Sequence, residues 1–174
     1  SNERNGVQIS AVYLPTQALS ITADGYYLDA EDVPDLGSYF DRDARKPVKD
    51  IPVYSQESDF LTSEVKTFTL RTEYEINDNV TLYNATRFGD TKNGYITTGA
   101  SGTKRADSDP AAPGAATIGL STHQGYQDVS YASTQFNLFW NTNILDLEHN
   151  FVFGVEYTDE SVKNGVYDIN YENP

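Results

Sequence analysis

The chain has 174 residues, long enough for one domain. Its formal net charge of -14 argues against nucleic acid as a partner, since phosphate contacts need clustered Lys and Arg. The absence of Cys excludes disulfides, zinc–thiolate sites and thiol nucleophiles.

Mean hydropathy is -0.55, and no apolar run approaches the ~20 residues of a membrane helix. A barrel strand escapes that test, because only alternate residues face lipid. No secretory leader is visible, and the ends, Ser1 to Arg4 and Asp168 to Pro174, read as cut points in a longer protein.

The first strand is expected from about Val7 to Leu14, with Ile9, Ala11 and Tyr13 on one face and Gln8 and Ser10 on the other. A short turn at Pro15 to Gln17 leads to a second strand, about Ala18 to Leu28. There Leu19, Ile21, Ala23, Gly25 and Tyr27 alternate with Ser20, Thr22, Asp24 and Tyr26, the period of a sheet with one apolar face. A long polar stretch, about 29 to 63, follows.

The third strand, about Glu64 to Ile76, sets Phe68, Leu70, Thr72, Tyr74 and Ile76 against Thr67, Thr69, Arg71, Glu73 and Glu75. Asn77 to Asn79 is a tight turn. The fourth strand, about Val80 to Phe88, has no decisive alternation, and its face stays open. A second loop is expected over 89 to 127, rich in small residues at its centre.

The fifth strand, about Asp128 to Asn141, places Phe136, Leu138 and Trp140 together, with Phe139 an exception. A short turn around Asn143 to Asp146 precedes the sixth, about Leu147 to Tyr157, whose Leu147, His149, Phe151, Phe153, Val155 and Tyr157 share a face.

Connections thus run short, long, short, long, short. That asymmetry is expected of an outer-membrane barrel with short turns on one side and long loops on the other. Spans of about 9–14 residues suit a tilted membrane strand better than the ~5–6 usual in soluble sheets. The expected fold is all-β: antiparallel up-and-down strands, about six strands of a larger transmembrane β-barrel. Residues 1–174 would form one partial barrel domain with long extracellular loops near 29–63 and 89–127.

Three segments carry a family resemblance. The run Asn79-Val80-Thr81-Leu82-Tyr83-Asn84-Ala85-Thr86-Arg87-Phe88-Gly89 resembles a Leu-Thr-rich strand ending in Thr-Arg-Tyr-Gly in TonB-dependent siderophore receptors. His149-Asn150-Phe151-Val152-Phe153-Gly154-Val155-Glu156-Tyr157 resembles their His-x-Leu-x-x-Gly-x-Glu strand. Tyr26-Tyr27-Leu28-Asp29, followed by Asp32-Val33-Pro34-Asp35-Leu36-Gly37, is similar to the Tyr-x-x-Asp-x-x-Pro-Asp-x-Gly entry to a loop.

The resemblance covers roughly Gly6 to Ser161. It implies a barrel of about 22 strands in the outer membrane of a Gram-negative-type cell. It also implies a separate plug domain, expected to be absent here, through which TonB would act. The implied partners are a ferric siderophore and outer-membrane lipid, with no cofactor.

Catalysis finds no support: His123 and His149 lie far apart, and Ser130, Ser133 and Asp128 lack triad spacing. Asp29, Glu31, Asp32 and Asp35 offer oxygens for a hard cation but lack a calcium-loop spacing, so a solvated loop is the stronger reading. Tyr39, Phe40, Arg42, Arg45, Tyr54, Tyr95 and Arg105 lie in or near the long loops. Aromatic faces and guanidinium groups suit flat, anionic ferric chelates, which makes these the candidate ligand contacts. The plainer reading of each is an interfacial girdle residue or a solvated charge.

Two rival functions remain: a receptor of the same fold for a glycan or cobalamin, or a soluble β-rich adhesin or carbohydrate-binding module. The isolated chain is expected to self-associate, since six strands leave two unpaired edges.

Overall fold

The computed structural model describes residues 2–34, 40–41, 45–47, 55–102 and 118–169. Its strands in chain order are β1 Glu3–Tyr13, β2 Leu19–Asp32, β3 Phe40–Asp41, β4 Lys46–Pro47, β5 Phe60–Asn77, β6 Val80–Gly102, β7 Ile118–Ile144 and β8 Leu147–Gly165. Six of them form one antiparallel sheet in the order β1-β2-β5-β6-β7-β8, so every strand pairs with its predecessor in that sheet. The short pair β3–β4 stands apart, within the stretch expected to be a loop.

The three expected hairpins form. Their links are 14–18, Asp78–Asn79 and Leu145–Asp146. The last is a two-residue turn with positive φ at both positions, 54° at Leu145 and 61° at Asp146. Such a turn matches the right-handed twist of the flanking strands, although Asn and Gly are its usual residues. At the other short link the register shifts between Glu75 and Asn77, where a bulge ends the β5–β6 ladder.

Strand lengths differ from expectation. Residues 89–102 and 118–127, read from sequence as loop, continue β6 and β7, and β8 runs on to Gly165. β2 and β5 likewise extend into the first expected loop, through Asp32 and from Phe60. The reason is physical. Alternation marks a strand only where one face meets an apolar medium, and past that zone both faces are polar while the backbone ladder persists. β7 has 27 residues, far beyond the ~9–11 that a tilted membrane strand needs.

Direct cross-strand partners share a face, so the register decides side-chain direction. One row reads Tyr13, Ile21, Thr72, Asn84, Phe136 and Val155 from β1 to β8. The next reads Leu19, Tyr74, Leu82, Leu138 and Phe153 from β2 to β8. Most large apolar residues between these rows therefore lie on one side, while Val12, Leu28, Val65, Phe139 and Val152 lie on the other. The open question of the fourth strand is answered by pairing: Val80, Leu82 and Phe88 join the apolar face opposite Trp140, Leu138 and Ala132.

Among the described residues no packed core backs this face. Among the described residues the one buried hydrophobic is Ala30. Phe136, Phe153 and Val155 are 55%, 55% and 65% exposed. A water-soluble two-layer fold would bury these side chains against a second layer.

The apolar zone also crosses the sheet obliquely. Its outer edge is Val7 on β1, but Val7's row passes through Tyr27, Lys66, Asp90 and Ser130 to Ser161, four residues beyond the edge residue Tyr157 on β8. At the other end β1 stops at Tyr13, whose row meets Val155, while the apolar side chains of β8 continue through Phe151 to Leu147. A band that steps against the hydrogen-bond rows is the signature of strands tilted in a staggered barrel wall.

Candidate ligand-facing surface

The face opposite the apolar band is polar and partly cross-linked by side chains. Arg71 on β5 makes an ion pair with Asp24 on β2, and Ser10 on β1 donates to the same carboxylate at 2.7 Å. Arg87 on β6 donates through Nε to Thr69 Oγ1 at 3.0 Å. Thr158 on β8 donates to Ser133 Oγ at 2.9 Å, beside Glu156. Two shallow hollows line this face and share Thr69, Arg71 and Arg87, so two guanidinium groups sit at its centre.

Aromatic rings lie flat on it where glycine faces them. Tyr131 covers Gly89, its direct partner, closely enough that a Cβ on Gly89 would strike the ring. Tyr95 lies against Gly125, with ring atoms from 3.4 Å of where a Cβ would stand. A side chain on Gly89 would lift the Tyr131 ring toward whatever occupies this side, whereas one on Gly125 would only touch Tyr95.

The outer end of the sheet has a small cluster of its own. Asp59 is 7% exposed, and its carboxylate accepts from Thr98 N and Thr98 Oγ1, both at 2.8 Å, and from Gln56 N at 3.0 Å. Those bonds satisfy the buried charge and tie the segment entering β5 to β6. After β8 the chain turns back: Tyr167 N donates to Gln124 Oε1 at 2.9 Å, and its ring meets Phe60 edge-on at 5.5 Å and Tyr126 at 5.6 Å. Phe60, Gln124, Tyr126 and Thr98 all belong to rows of the apolar side. Both segments therefore pack on that side, leaving the outer end of the polar face uncovered by them.

Of the candidate ligand contacts, Tyr39, Arg42, Tyr54 and Arg105 lie outside the described residues. Phe40 pairs with Pro47 in β3–β4. Arg45 is exposed in the turn between those strands, at φ 51°. Tyr95 is not in a loop. It stands on β6 between Leu61 and Gly125, on the polar face, and is 39% exposed.

Of the acidic group, Asp35 lies outside the described residues, and Asp29, Glu31 and Asp32 do not converge. Asp29 and Glu31 point to one side of β2 and Asp32 to the other, where Arg4 Nη2 meets it at 2.8 Å. The central arginines Arg71 and Arg87 were missed as a pair. Their alternation was visible on β5 and ambiguous on β6, and only the register places Arg87 beside Thr69.

No protein-family model matches the chain. It is 28% identical over 166 residues to a probable TonB-dependent siderophore receptor, PiuA, of Acinetobacter baumannii, covering 89% of this chain and 21% of that protein. Among solved structures it superposes on the ferric-catecholate import receptor Fiu of E. coli K12 with a TM-score of 0.77 and 24% identity, over 97% of this chain and 28% of that one. The crystal structure of PiuA gives 0.74 at 22% identity, over 94% of this chain and 24% of that one. The ferric preacinetobactin receptor BauA of A. baumannii gives 0.72 at 16% identity, over 97% and 24%. The chain thus spans between about a fifth and just over a quarter of the proteins it resembles. Its sequence is similar to one part of that probable TonB-dependent siderophore receptor, and its six-strand sheet has the fold of part of these solved receptors.

Proposed function

We propose that this chain is barrel wall and outer loops of an outer-membrane receptor that takes up ferric siderophores by a TonB-dependent route. The carrying observation is the oblique apolar band. Six antiparallel strands expose an apolar face over which the described residues lay no second layer, and its lower edge carries Tyr13, Tyr74 and Trp140, with Tyr27 and Tyr157 at the upper edge. Aromatic girdles at both edges suit a band bathed in lipid. The polar face, with Arg71, Arg87 and the flat-lying tyrosines, is then the barrel interior.

Transport of a chelate through a plugged barrel makes the protein a carrier and not an enzyme, as the names of its relatives also indicate. The plug and the TonB contact belong to other parts of the receptor. Loops near 29–63 and the outer halves of β6 and β7 would reach the cell exterior. Tyr39, Phe40, Arg42, Arg45, Tyr54, Tyr95 and Arg105 are the proposed ligand contacts, with Tyr95 the best supported because it is exposed on the interior side.

Deletion of the gene should abolish growth on the cognate ferric siderophore as sole iron source and leave growth on ferrous iron intact. Unchanged uptake of every iron chelate, with loss of glycan or cobalamin uptake, would transfer the protein to another cargo of the same fold. In the full-length receptor Tyr95→Ala should weaken chelate binding about three- to tenfold, the scale of one aromatic contact, as read by intrinsic fluorescence quenching.

A further inference from the structure

Tyr95 stands where the sheet narrows. The β5–β6 ladder ends at Phe60 with Ile96, and the β7–β8 ladder ends at Tyr126 with Gly165. β6 and β7 run on together from Thr97 with His123 to Gly102 with Ile118, and no strand among the described residues flanks them there. Tyr95 is one residue short of the first ladder's end, and its partner Gly125 is one residue past the end of the second. A two-stranded ribbon is marginal by itself, so the backbone that carries this ring needs support from something other than strands.

Two contacts on the other side of the sheet, the side of the apolar band, supply it. The Thr98 N–H points to where β5 would continue, and the Asp59 carboxylate accepts it at 2.8 Å in place of the missing strand. Thr98 Oγ1 and Gln56 N hold the same carboxylate at 2.8 and 3.0 Å. On the opposite flank of Tyr95, Gly94 is buried beneath the Tyr167 hydroxyl, where a Cβ would collide, and its carbonyl accepts from Thr62 Oγ1 at 3.3 Å. Tyr167 is itself fixed by Gln124 on β7 and by the Phe60 ring on β5. Residues 94 and 98 are thus gripped from one side of β6, while residue 95 projects to the other.

We propose that Asp59 and Tyr167 are positioning residues for Tyr95: they hold β6 from the side of the apolar band, one on each flank of residue 95, and so fix its ring against Gly125 on the polar face. The inference rests on reading Tyr95 as a chelate contact. What Asp59 supplies is geometry. Its Oδ2 accepts two N–H groups, and its Oδ1 accepts a hydroxyl that can turn round to accept instead. An amide with its oxygen in the Oδ2 place would satisfy all three partners.

The test places a nitroxide at Tyr95→Cys in the full-length receptor. Its spectrum should be that of an ordered site, and Asp59→Ala and Tyr167→Ala should each add a mobile component. Asp59→Asn should leave the spectrum unchanged. A second label at Thr67→Cys, on the same face and paired on both sides by Tyr26 and Gly89, should not respond. Amide exchange across residues 94–102 should run about tenfold faster in Asp59→Ala, the factor for losing a hydrogen bond to a charged group.

An unchanged spectrum at position 95 in either alanine variant overturns the proposal. So do equal changes at 95 and 67, which mark a general loss of structure, and so does a mobile component in Asp59→Asn. The underlying reading fails separately: if Tyr95→Ala leaves chelate binding unchanged, Tyr95 is no ligand contact, whatever the spectra show of the grip on β6.

Discussion

Leu145 and Asp146 both hold positive φ, a backbone region that costs an L-residue about 1–2 kcal/mol. Leu145 is 91% exposed, so no burial offsets that cost. The double change Leu145→Asn with Asp146→Gly should stabilise the β7–β8 hairpin by about 1–2 kcal/mol, seen as a higher denaturation midpoint with an unchanged slope. Gly89 presents the opposite case. Its Cα is covered by the Tyr131 ring, so Gly89→Ala must displace the ring at a cost of about 1–3 kcal/mol. In a Tyr131→Ala background the same change should cost much less. Additive effects in that double-mutant cycle would refute the contact.

At the scale of the strand, the polarity of the medium determines what a substitution does. Leu70 lies mid-band on β5, whereas Ser130 on β7 shares the band's side but sits in the row of Lys66 and Asp90, at its margin. Leu70→Arg should destabilise the folded barrel in vesicles by about 2–4 kcal/mol, and Ser130→Arg by about 0–1 kcal/mol. Equal costs at the two positions would contradict the placement of the band.

The same dependence on medium accounts for what was legible in each strand. Leu19, Ile21 and Ala23 alternate cleanly with polar residues, so β2 and its direction could be read directly. Val80 to Phe88 carries polar and apolar residues on both faces, with Asn84 and Thr86 on one and Tyr83 and Ala85 on the other, and only pairing with Phe136, Leu138 and Trp140 oriented it. The outer halves of β6 and β7 gave no alternation, because neither face there belongs to the apolar band. Tyr95 was consequently taken for a loop residue, and Arg71 and Arg87 were not recognised as neighbours.

For the whole molecule, the decisive feature is that no described strand pairs with the outer edges of β1 and β8 and no described layer covers the apolar face. Each open edge invites another strand. Each large apolar side chain left in water forgoes about 1.5–3 kcal/mol relative to burial. The 174-residue chain by itself should therefore self-associate in detergent-free buffer, and light scattering should show species larger than the monomer. A monodisperse monomer with Phe136, Phe153 and Val155 in water would contradict the lipid-facing reading.

The amino-acid sequence alone determined the hairpin order, the apolar side of most strands and the exclusion of thiol and disulfide chemistry. Those follow from local rules: a side-chain period of two, turn-forming residues, and the presence or absence of a reactive group. Tertiary structure decided the true strand lengths, the bulge beside Asn77, the meeting of Arg87 with Thr69, the folding of Tyr167 onto Phe60 and the oblique course of the band. Each of these depends on register between residues far apart in the chain, which backbone hydrogen bonding sets and no local pattern encodes.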